Sequence, residues 1–169
     1  ALNDLPMPTL ALIQGAALGG GVGLAACCDI AIAADTATFA LSEVRFGIIP
    51  ATIGPYVVAA IGARQARRYF LTAERFGAAE AQRIGLVHDV VPAAELRAVA
   101  DRVLAGLAGN GPKAMAEAKA LIRAIAGRPI DDALIDDTAR RIARVRATDE
   151  AREGLAAFLE KRKPSWSGI

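Results

Sequence analysis

Two cysteines and one histidine are all this chain holds of the residues that most often bind metals or run thiol chemistry. Cys27 and Cys28 are adjacent, which excludes a C-x-x-C redox pair and a four-ligand zinc site. Buried, reduced thiols in a cytosolic protein are the reading that remains. His88, the sole histidine, has no Ser or Cys nucleophile near it in sequence, so a catalytic triad is not arguable. A dominant charge sign is also lacking: 20 Lys+Arg against 18 Asp+Glu leave a net charge of +2, no signal for nucleic acid. The longest apolar stretch, Ala16–Cys28, is broken by glycines and too short to cross a membrane. No secretory signal is visible. The expectation is a cytoplasmic chain without a metal, a nucleic-acid partner or a membrane span.

What is present is apolar and rich in alanine. A hydrophobic fraction of 54% over 169 residues supplies one sizeable core, close helix packing and material for subunit contacts. Residues 1–92 alternate short strands and helices, the pattern of an α/β core. Strands are expected near Thr9–Ile13, Ile30–Ala33, Thr38–Leu41 and Leu86–Val91. Helices are expected near Val22–Cys28, Pro55–Ile61, Arg64–Thr72 and Ala78–Ile84. Residues 93–169 read as helices over Ala94–Ala108, Lys113–Ala126, Asp131–Arg146 and Asp149–Lys161. Asp149 and Glu150 suit the positive start of the last helix, Lys161 to Lys163 its negative end, and Pro164 stops it.

The most informative stretch is Ile13–Asp29, where an apolar strand enters Gly19, Gly20 and Gly21 and a short small-residue helix leaves. The first turn of a helix carries amides with no partner inside the helix, and its end is mildly positive. Glycines let a ligand approach the bare backbone. Such a turn suits a phosphate or a developing oxyanion. A P-loop is excluded, because no Gly-Lys-Ser or Gly-Lys-Thr follows. Gly21, Gly23 and Ala26 do fit a dinucleotide-binding G-x-G-x-x-A. The helix is too short for that fold, however, and the acid ending the next strand, Asp35, comes too early. Tight helix-on-strand packing is the structural alternative.

Just past the strand at Thr38–Leu41, Glu43 sits among apolar neighbours. A carboxyl in such a place is either ion-paired or a candidate proton-transfer group. Arg45 is its nearest possible salt-bridge partner in sequence.

The ordered motifs A-L-G-G-G, C-C-D-I-A-I-A, F-A-L-S-E-V-R-F-G-I-I-P and A-A-E-A-Q-R-I-G-L-V-H-D-V-V resemble the crotonase superfamily, the enoyl-CoA hydratases and isomerases, over about Pro8 to Pro92. The likeness resumes at Gly154–Lys163. It implies a spiral of ββα turns followed by a helical trimerisation region, giving a homotrimer or a dimer of trimers. It implies an acyl-CoA substrate, with coenzyme A part of that substrate and no other cofactor. It assigns Gly20 as an amide donor of an oxyanion hole and Glu43 as the catalytic carboxyl. Gly19, Gly21, Gly23, Pro50, Phe158 and Lys161 match substrate-binding positions, the last two near the nucleotide. Core packing and a solvated helix end are the plain alternatives for Phe158 and Lys161.

Two departures stand out. The hydratases place a second glutamate twenty residues before the one matching Glu43, and this chain has Gly23 there. Glu43 then acts as base and acid in turn, receives help from a carboxylate outside this chain, or merely shuttles a proton in a double-bond isomerase. After Pro50 the hydratases' glycine-rich run is replaced by Ala51-Thr52-Ile53-Gly54-Pro55-Tyr56. With Val22–Gly23, Arg67–Glu74 and Leu86–His88, this is most similar to the bacterial branch acting on 3-methylglutaconyl-CoA and γ-carboxygeranoyl-CoA. A carboxylated tail would need a cation, for which Arg45, Arg64 and Arg67 are candidates, a solvated helix face being the alternative. The resemblance also implies that the chain corresponds to the C-terminal part of the family fold. The other oxyanion amide would then lie in an N-terminal portion, and losing one donor costs about 10²–10³ in rate. Negligible hydratase activity is the expectation for these residues taken by themselves.

Overall fold

The computed structural model describes residues 2–167 and divides into two compact units. The first contains residues up to Leu5 and Thr9–Arg102; the second contains Pro6–Pro8 and the residues from Val103 onward. The division falls ten residues beyond Pro92, where the sequence changes character.

In the first unit, strand β1 (Leu10–Ile13) leads into β2 (Ala16–Leu18), and helix α1 (Gly20–Cys27) follows at once. Strands β3 (Ile30–Ala34) and β4 (Thr38–Ala40) repeat the two-strand pattern. Helix α2 (Gly54–Thr72), β5 (Phe76–Gly77), α3 (Ala78–Arg83) and β6 (Asp89–Val91) complete it, with the start of α4 (Leu96–Ala108). One sheet has the order β1-β3-β6 with both pairings parallel, Leu10 opposite Ile30 and Ile32 opposite Asp89. The other has the order β2-β4-β5, parallel between β2 and β4 and antiparallel at β5. Each successive strand pair thus supplies one strand to each sheet, and α1 is part of the crossover that a parallel pair requires. Central β3 is a continuous apolar run, as suits a strand covered on both faces.

The first unit's core uses three of the chain's few aromatics. Phe39 stacks on Phe76 at 5.6 Å between ring centres, and Tyr69 tilts onto Phe76 at 4.3 Å. Phe39 and Tyr69 are fully buried, and complete burial of a side chain this size contributes about 1.5–3 kcal/mol.

Two sequence expectations are corrected here, and two strands are added. α1 begins at Gly20 rather than Val22, because Gly19 serves as its N-cap and its carbonyl takes the Val22 and Gly23 amides. The expected strand over Leu86–Val91 shrinks to Asp89–Val91, since the amides of Leu86 and Val87 both turn back to the Ala81 carbonyl. β2 and β5 were not expected; each is three residues or fewer, too short for a periodic signal. The two helices expected across Pro55–Thr72 are present as the two arms of α2, which breaks between them at Gly62, whose φ of 73° and ψ of 155° are non-helical.

The second unit holds the rest of α4, then α5 (Pro112–Ile125), α6 (Asp132–Arg146) and α7 (Asp149–Leu159). Pro112 opens α5, where its missing N–H costs nothing. Asp131 caps α6 through the Leu134 amide at 2.8 Å, and Thr148 caps α7 through the Ala151 amide at 3.2 Å. The Glu150 carboxylate accepts from the Ala114 and Lys113 amides at 2.7 and 3.1 Å, tying α7 to the start of α5. α7 stops at Leu159 rather than Lys161, because Lys161 adopts a φ of 54° outside the helical range. Many large apolar residues here stay exposed, among them Ile122, Ile142, Leu155, Phe158 and Leu159.

Candidate active site

The glycine turn is built by a strand ending where a helix must start. Gly19 sits at φ 49° and ψ −112°, a conformation that side chains disfavour. Its amide is spent on the Ala40 carbonyl at 2.9 Å. The next amide, that of Gly20, is the first of α1 and has no acceptor among the described residues. A Cβ added to Gly20 would meet no side chain or remote backbone atom within 4 Å. Gly21 instead faces Ala17 at ordinary contact distance.

Glu43 is delivered to the same turn from β4. It begins a single 3₁₀ turn, Glu43–Phe46, immediately after the strand and Leu41–Ser42. Oε1 lies 3.1 Å from where a Cβ on Gly19 would be. Oε2 is buried and has no hydrogen-bond partner among the described residues. Arg45 does not neutralise it: its guanidinium donates to the Ala73 carbonyl at 2.8 Å. The paired surface glutamate is therefore ruled out with respect to Arg45. A buried carboxyl oxygen without a donor is costly to leave unmet in a fold. The Glu43 Oε2 acceptor and the Gly20 amide donor are thus both left unmet among the described residues, and Oε1 sits against Gly19, the residue before that amide.

The remaining predicted residues have other surroundings. Gly23 is buried one helical turn below Gly19, and a Cβ there would stand 2.1 Å from Ile53 Cγ2. Sequence reading missed Ile53; its signal was an apolar residue within the departure after Pro50. Pro50 is buried, and its carbonyl accepts the Gly54 amide at 2.7 Å, so it helps launch α2. Phe158 and Lys161 lie on the second unit, both exposed. Arg64 and Arg67 lie exposed on α2. His88 serves the fold: its Nδ1 accepts the Ala31 amide at 3.0 Å, and its own amide donates to the Ala31 carbonyl at 2.8 Å. Cys27 and Cys28 are half-buried and in no disulfide, and burial pushes the Cys27 thiol pKa up. Among the described residues, no cluster of His, Cys, Asp and Glu could hold a metal, and no helix is long and apolar enough to cross a membrane.

Paired sheets, a short crossover helix with an unspent first amide, and a carboxyl seated against the residue before that amide define an α/β protein of the crotonase fold. The enoyl-CoA hydratase/isomerase family model matches residues 1–168, and the chain belongs to that family. An enoyl-CoA hydratase of known structure from Shewanella pealeana is 48% identical, with a TM-score of 0.94 over 98% of this chain and 62% of its own. Pseudomonas aeruginosa AtuE is 45% identical, with a TM-score of 0.92 over 98% of this chain and 64% of its own. Enoyl-CoA hydratase ACTT6 of Alternaria alternata is 39% identical over 173 residues, covering 100% of this chain and 57% of that protein. YngF of Bacillus subtilis is 36% identical over 175 residues, and the chain spans 65% of its length.

Proposed function

We propose that the intact protein is a lyase that adds water to an unsaturated acyl-CoA thioester, and that Glu43 and the Gly20 amide are its catalytic groups. The observation that carries this reading is Glu43, with Oε2 unpartnered and Oε1 seated against Gly19, the residue before the unspent Gly20 N–H. Glu43 takes a proton from water as the oxygen bonds to the β-carbon. The electron pair of the double bond moves onto the thioester oxygen, where the Gly20 amide stabilises the enolate. Glu43 then returns a proton to the α-carbon. Water is added across the bond, and the carboxylate is regenerated.

Branched or carboxylated enoyl-CoAs, such as 3-methylglutaconyl-CoA, are the proposed substrate class, with coenzyme A as part of the substrate and no further cofactor. The departures at Gly23 and after Pro50 support it. Residues 93–169 are proposed as the surface of a homotrimer or dimer of trimers in the cytoplasm, with Phe158 and Lys161 beside the nucleotide. The exposed apolar residues of α5, α6 and α7 support the assembly.

Double-bond isomerisation is the second reading, favoured by the occlusion of position 23 by Ile53. One carboxyl suffices to move one proton between two carbons. A crotonase-fold scaffold without catalysis is the third. Glu43→Gln in the full-length protein, assayed with 2-enoyl- and 3-enoyl-CoA substrates, tests all three. The expected result is a loss of hydration by about 10²–10⁴. Wild-type turnover by that variant removes Glu43 from the chemistry. Interconversion of the two enoyl-CoAs without hydration selects the isomerase.

A further inference from the structure

Gly19 is the N-cap of α1, and Gly23 lies one turn along that helix, its amide donating to the Gly19 carbonyl at 3.2 Å. From Gly19 the Cβ direction meets Glu43 Oε1 at 3.1 Å; from Gly23 it meets Ile53 Cγ2 at 2.1 Å and Cβ at 2.6 Å. Atoms cannot approach as closely as the second pair would, so a side chain at position 23 and the side chain of Ile53 compete for one volume. Ile53 is also anchored. It is half-buried against the core, and its carbonyl accepts the amides of Tyr56 and Val57, both at 3.1 Å, at the start of α2.

We propose that Ile53 is the specificity-determining residue of this site. Its side chain fills the space that a carboxylate side chain at position 23 would need, and presents hydrocarbon in its place. The proposal rests on the enoyl-CoA reading above and deepens it. The site fits an acyl group that sets an apolar branch against Ile53, and every proton passes through Glu43. Gly23 and Ile53 act as one unit, since neither can change alone without a clash or a void.

The test uses full-length protein as wild type, G23E, I53G and G23E/I53G. Melting temperature is read together with kcat/KM for 2-butenoyl-CoA and its 3-methyl analogue. G23E is expected to lower the melting temperature strongly by itself and far less in combination with I53G; folding only in that combination is the extreme form of the same result. I53G is expected to change the branched-to-linear ratio of kcat/KM by about tenfold or more. Additive melting temperatures, or an unchanged ratio in active I53G protein, overturn the proposal. Absence of turnover in all four proteins, wild type included, counts against the enoyl-CoA reading, while the melting temperatures still judge the pairing of Gly23 with Ile53.

Discussion

Glu43 Oε1 lies over the backbone of Gly19, 3.1 Å from where a methyl group on that residue would stand. The carboxyl is thus seated against a residue whose conformation, with φ at 49° and ψ at −112°, disfavours a side chain, and where a Cβ would crowd that carboxyl. Gly19→Ala is expected to cost about 1–3 kcal/mol in backbone strain and to push the Glu43 carboxyl aside. Turnover should fall by more than Gly21→Ala lowers it, since a Cβ on Gly21 meets only Ala17, at 3.7 Å. Steady-state kinetics of the two variants, with urea melts, check this.

His88→Ala should separate fold from chemistry. The Ala31 amide loses its acceptor, at 3.0 Å in the native structure, and stability should drop by about 1 kcal/mol. kcat should not change in the protein that remains folded. A fall in kcat without a fall in stability would restore a catalytic role to this histidine.

Glu150 reaches from the first turn of α7 to the open amides of α5. Glu150→Ala leaves two helix-start amides without that acceptor, and a loss of about 1 kcal/mol is expected. Thermal melts of the full-length protein measure it. Glu150→Gln should retain part of the loss-free behaviour, because its amide oxygen still accepts while the charge that favours a helix start is gone.

Acid sensitivity should trace to two glutamates. The Arg83 guanidinium, helped by the Tyr69 hydroxyl, holds the Glu80 carboxyl at about 2 instead of the ordinary 4.5. The Arg162 guanidinium, with the Ser165 amide, holds Glu153 at about 2 as well. A folded pKa below the unfolded value means the unfolded chain takes up protons first. The stabilisation is therefore present above pH 4.5 and lost as pH falls toward 2. Glu80→Gln and Glu153→Gln should each flatten melting temperature against pH within that window. Both groups are solvent-accessible, so raised salt should shrink the effect.

Much of this was legible in sequence because it is local. The glycine cluster after an apolar strand announced a helix start. The apolar runs at Ile30–Ala33 and Thr38–Leu41 announced strands, and Pro112, Asp131 and Asp149 mark helix beginnings close to where α5, α6 and α7 start. What was missed is either too short for a period, as in β2 and β5, or set by a distant partner. Arg45 looked like the neighbour of Glu43 by spacing, yet its acceptor is the Ala73 carbonyl, 28 positions away.

Residue order by itself determined the α/β pattern, the family and the chemical types at the turn, since these depend on which side chains and glycines follow one another. Only the tertiary structure decided which amide stays unspent and which carboxyl oxygen stays unmet. Ala40 captures the Gly19 amide and leaves that of Gly20, and Ile53 occupies the space beside Gly23. Hydrogen bonds and volumes are claimed by atoms near in space, and chain folding, not sequence adjacency, brings those atoms together.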